Sequence, residues 1–230
     1  MRLTLRAMSA LLDYPSAELK DHVADIRDAL RAEGVLSTAA LNGLEPLLMA
    51  LETEDLLDLQ AAYTELFDRS RALSLHLFEH VHGESRERGQ AMIDLGQHYV
   101  DRGYVIQSSE LPDFLPLFLE FLSLLPAAEA REWLAEPVHV LAALEERLSE
   151  RRSPYAAVFQ ALTRLAAARP DPEAVARLRE QDKADAEKSI DEVWEDTPVD
   201  FTTPINAGGP TGVIAKIRAA RRAVAAAIKT

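Results

Sequence analysis

The sequence predicts an all-α protein, a single helical bundle followed by an acidic linker and a short basic amphipathic helix. Three observations carry that prediction. Apolar residues recur at threes and fours along most of the chain, the spacing of a buried helical face. Glycine is sparse, nine in 230 residues, whereas the helix-favouring Ala, Leu, Glu and Arg abound. No run alternates convincingly enough to make a strand ladder.

The first helix is expected from about Thr4 to Leu12, stopped by Asp13-Tyr14-Pro15. Ser16 then caps a second, with Leu19, Val23, Ile26 and Leu30 on one face, and Gly34 ends it. A third follows Ser37 with Leu41, Leu44, Leu48 and Leu51 aligned, and Thr53 is read as the start of a fourth that reaches at least Asp68. Beyond it the period is ambiguous. Leu73, Leu75 and Leu77 alternate as in extended chain, while Leu73, Leu77 and Val81 line one helical face.

Gly83 closes that segment, and a helix from about Ser85 to Tyr99 ends before Gly103. FLPLFLEFLSLL, Phe114 to Leu125, is apolar nearly all round and belongs in the centre of the fold. Pro126 and Pro137 punctuate the chain before a helix through Val140, Leu144 and Leu148, and Ser153-Pro154 starts the last core helix, through Leu162 and Leu165. The domain reading is therefore 1–169 for the bundle, 170–212 for a mobile acidic linker and 213–230 for a basic tail. Residues 171–200 hold eleven acidic residues against four basic ones. Residues 213–230 carry Lys216, Arg218, Arg221, Arg222 and Lys229 with no acid, opposite Val213, Ile217, Val224 and Ile228.

Composition removes whole classes of function. With no cysteine there can be no disulfide, thiolate zinc site, cysteine-held cluster or cysteine nucleophile. A net charge of −13 disfavours nucleic acid and favours basic partners. No run approaches the ~18 apolar residues of an integral membrane segment. The N-terminus lacks the pattern of a secretory signal, so the expected location is cytoplasmic.

HLFEHVHG, His76 to Gly83, gathers three of the six histidines. A metal-dependent hydrolase on these groups is the enzyme alternative, but Glu79 precedes the second histidine instead of following the first as in H-E-x-x-H. Structural histidines bonded to carboxylates and carbonyls are the default reading. Gly208-Gly209 has no following G-K-[ST], and no G-x-S-x-G is present. A third alternative is a membrane-surface adaptor acting through residues 213–229.

The block YTELFDRSRALSLHLFEHVHGESRERGQAM, Tyr63 to Met92, carries a family resemblance, joined by LLDYP at Leu11 to Pro15 and SSELPDFLPLFLEFLSLLP at Ser108 to Pro126. It resembles the nitrate reductase molybdenum cofactor assembly chaperones, the NarJ and NarW proteins, within the TorD-like redox-enzyme maturation proteins, over roughly residues 1 to 165. The resemblance implies a TorD-like helical fold and a non-catalytic role. Such a chaperone binds the N-terminal segment of the apo catalytic (alpha) subunit of respiratory nitrate reductase and supports molybdenum cofactor insertion. It also delays membrane attachment and is not part of the final enzyme. It binds no cofactor permanently, since the molybdenum cofactor is delivered to the client, and cofactor-biosynthesis proteins are further expected partners.

That client segment is basic and partly apolar, which a groove with apolar walls and a carboxylate rim would suit. The candidates are Tyr63, Leu66, Phe67 and Phe78 as apolar wall, Asp68, Glu79 and Glu84 as acidic partners, and His76, His80 and His82 on the rim. Arg69, Arg71, Arg86 and Arg88 lie in the same block and are expected to fix the loop in part. Charge reversal at Asp68 and Glu79 is expected to weaken client binding, and histidines beside carboxylates to make it depend on pH between about 6 and 8.

Overall fold

The computed structural model describes residues 1–69, 71–83, 85–106 and 110–187, with side chains as far as residue 180. Glu84 and the greater part of the acidic linker and basic tail, residues 188–230, lie outside the described residues.

Helix α1 (Arg2–Leu12) turns Leu5, Met8, Leu11 and Leu12 inward. Its orphan N-terminal donors are met from outside, where Glu33 accepts from Leu3 N and Thr4 N at 3.0 and 2.7 Å. The Ser16 hydroxyl accepts from Leu19 N at 3.1 Å and opens α2 (Ala17–Asp21). Sequence periodicity predicts one helix here, but the backbone leaves helical geometry at His22, and α3 (Val23–Glu33) follows separately. Gly34 ends it at φ 64°, where a residue without Cβ is unstrained.

Helix α4 (Thr38–Thr53) is capped by Ser37 as its sequence predicts. Helix α5 (Leu56–Phe67) opens on Asp55 and not on Thr53, because the Asp55 carboxylate accepts from Leu57 N at 2.8 Å at the positive helix end. After the segment that forms the site comes α8 (Leu115–Ser123), with Leu115, Leu119, Phe121 and Leu122 removed from solvent. It lies along α1 in the centre of the main core, where each large apolar side chain contributes about 2 kcal/mol by leaving water.

Helix α9 (Ala127–Ala135) is not predicted by the sequence, where Pro126 reads as punctuation; the proline stands at the N-cap instead. Trp133 of this helix meets Phe121 edge-on at 5.7 Å. Helices α10 (Val138–Glu150) and α11 (Ala156–Leu165) then pack against each other, after the prolines that predict them.

The compact unit runs Met1–Asp182 and does not end at residue 169. Part of the expected linker is helical: α12 (Pro172–Glu187) buries Val175 against Ala142 and Ala143 of α10, with Leu178 alongside. Asp171 accepts from Glu173 N at 3.0 Å, and Arg179 pairs with Glu146 and Glu150 at 3.2 and 3.0 Å. Two apolar anchors among many charges leave so weak a period that the segment reads as solvated. Among the described residues no helix is long and apolar enough to cross a membrane.

Candidate functional site

Residues 72–82 follow the alternating period as far as Leu77 and turn helical only after it, without the face that Leu73, Leu77 and Val81 would share. Arg71–Leu73 is a 3-10 turn, an extended stretch follows, and α6 (Leu77–His82) completes it. The extended stretch pairs antiparallel at His76 and Phe114, with Leu77 N donating to Asp113 O at 3.1 Å and Leu115 N to Leu75 O at 2.9 Å. Leu73, Leu75 and Leu77 are all buried, as alternation demands, while Val81 is 53% exposed.

Asp113 organises this junction. It is fully buried, and its carboxylate accepts from Phe78 N at 3.0 Å and lies 3.2 Å from His76 Nδ1. One oxygen thus serves an orphan donor at the start of α6, and the other faces the imidazole. The bond to Asp113 raises the His76 pKa above its ordinary 6.5, outweighing burial. Sequence reasoning missed Asp113, because its partners stand some way back along the chain and meet it only through this pairing.

Three more side chains fix the turn and α6. Arg147 of α10 donates to Ala72 O at 2.5 Å, and His80 Nε2 sits 2.8 Å from Ser74 O. Arg71 donates to Glu79 O at 2.9 Å across the opening. Gly83 follows α6 at φ 56° and ψ −130°, a region open essentially to glycine, and a Cβ there would lie 2.6 Å from Arg71 Nη2.

These elements, with α5 and α7 (Glu87–Asp101), surround a pocket of about 420 Å³. Phe67, Asp68, Arg71, Ser74, His76, Glu79, Gly83 and Arg88 line it. Four of the sequence candidates, Phe67, Asp68, His76 and Glu79, therefore meet around one opening. Glu79 is already paired with Arg88 at 3.1 Å, whereas Asp68 is exposed and has no ion pair among the described residues. Arg69 turns to Glu65 at 2.9 Å.

The other candidates sit elsewhere. Tyr63 is a core residue and not a pocket wall: it is buried, donates to Leu12 O at 2.8 Å, and meets Tyr14, Phe67 and Tyr155 ring to ring. Desolvation raises its pKa further above the usual phenol value. Leu66 and Phe78 are half-buried against the core, and His82 packs edge-on to Phe78 at 5.4 Å. His80 is buried and not on the rim, and desolvation lowers its pKa to about 4. Glu84 lies outside the described residues. No three His, Asp or Glu side chains converge to hold a metal among the described residues.

A family model, the nitrate reductase delta subunit, matches residues 17–161, which include α8 and every pocket residue. The chain belongs to the nitrate reductase delta subunit family. Among proteins similar to it is the nitrate reductase molybdenum cofactor assembly chaperone NarJ of Escherichia coli K12, 45% identical over 200 residues, 86% of this chain and 85% of that one. NarW of the same strain, named for the same assembly role, is 38% identical over 198 residues, 86% of this chain and 83% of that one. A crystal structure described as a redox enzyme maturation protein from Archaeoglobus fulgidus superposes with a TM-score of 0.51 at 22% identity, covering 71% of this chain and 92% of its own. That likeness shows the all-α fold. NarJ and NarW are named as assembly chaperones and not as catalysts, which matches the non-enzyme reading of the sequence.

Proposed function

We propose that this chain is a dedicated assembly chaperone for a respiratory nitrate reductase, acting in the cytoplasm on the apo catalytic subunit. The observation that carries the proposal is 45% identity, over most of both chains, to a protein named as a nitrate reductase molybdenum cofactor assembly chaperone. The chaperone holds the client's N-terminal segment, supports molybdenum cofactor insertion, delays membrane attachment and leaves before the enzyme is complete. The cofactor is the client's cargo and has no permanent place on the chaperone.

The pocket beside α5 and α6 is where the client segment docks. At about 420 Å³ it suits a few anchoring side chains, near the lower end of the ~300–1,000 Å³ range of ligand pockets. Phe67 offers apolar wall, and Asp68 offers a carboxylate to a client guanidinium, a charge-assisted bond. Glu79 is held by Arg88, so it contributes more to the shape of the rim than to free negative charge. The overall charge of −13 draws a basic segment toward the body.

The test is recovery of the client. The tagged full-length chain, purified from cells respiring nitrate, is expected to bring down the apo catalytic subunit, and to lose it when the client's N-terminal segment is deleted. Absence of the catalytic subunit, or equal recovery after the deletion, would overturn the reading.

A further inference from the structure

We propose that Arg147 is a positioning residue that ties α12 to the turn under the pocket, so that docking of α12 and the shape of the pocket change together. The inference rests on the pocket being the client site, but the coupling can be measured without any client.

The geometry is a single guanidinium shared between two elements. Arg147 is 6% exposed; Nη1 donates to Ala72 O at 2.5 Å and Nη2 to Leu178 O at 3.3 Å. Ala72 lies in the 3-10 turn Arg71–Leu73, whose Arg71 lines the pocket together with the next residue, Ser74. Leu178 lies in α12, one turn beyond the buried Val175. Lysine presents its donors from one nitrogen, whereas this planar fork reaches each carbonyl from a separate nitrogen.

Two properties turn this contact into a coupling. Arg147 is costly to bury: desolvation, with Arg179 and Arg151 nearby, lowers its pKa to about 10, so its carbonyl partners stabilise a cation that water would otherwise hold. Helix α12 is also lightly held, since Val175 packs in a small cluster with Ala142 and Ala143, Leu178 is only half-buried where it meets the main core, and the Arg179 pairs are partly exposed. When α12 lifts away, Arg147 loses the Leu178 carbonyl and gains access to water. Its hold on Ala72 weakens accordingly, and with it the positions of Arg71 and Ser74. By linkage, a ligand that orders the turn must favour docked α12 by the same factor.

Hydrogen exchange on the full-length protein reads this directly. Val175→Asp undocks α12 without touching the pocket, and without ligand it is expected to speed exchange of amides 71–74 by about fivefold or more, with those of α8 unchanged. Arg147→Met is expected to speed the same amides and to abolish any further effect of Val175→Asp in the double variant. Arg147→Lys, which keeps the charge, is expected to behave like Arg147→Met and carries the comparison should the methionine variant fail to fold. Normal exchange at 71–74 with α12 undocked, additive effects in the double variant, or rescue by lysine would each overturn the proposal. In a second arm, a synthetic peptide of the client's N-terminal segment is expected to protect α12 amides in the wild type and not in the Arg147 variants. Failure of that peptide to bind would count against the client site and leave the ligand-free result standing.

Discussion

Acidification from neutral pH to about 4 is expected to cost about 3 kcal/mol of stability through His80 alone, because desolvation holds its native pKa at about 4 against an ordinary 6.5. The sign follows from proton counting. Below 6.5 the unfolded chain takes up a proton that folded His80 refuses, so the stabilisation is full above 6.5 and is lost as pH falls toward about 4. His76 acts in the opposite sense. Its pKa is raised by Asp113, so its contribution is full below 6.5 and is lost as pH rises through the native value. Urea unfolding at a series of pH values checks both. His80→Gln keeps a donor for Ser74 O without a titrating group, and is expected to flatten the acid limb that His76 leaves untouched. An acid limb as steep in His80→Gln as in the wild type would show that His80 is not the group responsible.

Asp113→Ala is expected to destabilise the protein by about 3 kcal/mol, since a fully buried carboxylate is lost while the Phe78 N–H it served stays buried. Asp113→Asn separates shape from charge. Its amide oxygen can still accept from Phe78 N and its nitrogen can meet His76 Nδ1, so about half that loss is expected. The His76 pKa should nevertheless fall toward 6.5 in both variants, which nuclear magnetic resonance titration of the ring would report. An alanine variant as stable as the wild type would remove Asp113 from its place as organiser of the junction between α6 and α8.

Local chemistry made most of the bundle legible. Ser16, Ser37 and Gly34 mark helix ends by capping and by left-handed backbone, and the run from Phe114, apolar but for Glu120 and Ser123, marks α8 as central. The resemblance carried by residues 63–92 likewise pointed to the segment where Phe67, Asp68, His76 and Glu79 surround the pocket. What escaped depends on contacts distant in sequence. Asp113 gains its meaning only from pairing with residues 76–78, and His80 looks like a rim residue until Ser74 O and the surrounding core enclose it. Tyr63 and Phe67 are four residues apart on one helix, so spacing alone could not tell that only Phe67 reaches the pocket. Helix α12 escaped because two apolar side chains, Val175 and Leu178, leave almost no period to detect.

We propose that the pocket beside α5 and α6 receives the client's N-terminal segment through Asp68. Calorimetric titration of a synthetic peptide of that segment into the full chain and into Asp68→Lys tests it most directly, since Asp68 is exposed and its reversal leaves the Glu79–Arg88 pair intact. The predicted result is measurable binding to the wild type, weakened about tenfold or more by Asp68→Lys with the fold unchanged by circular dichroism, the loss of one charge-assisted contact. Equal affinity in the two proteins, or no binding to either, would contradict it.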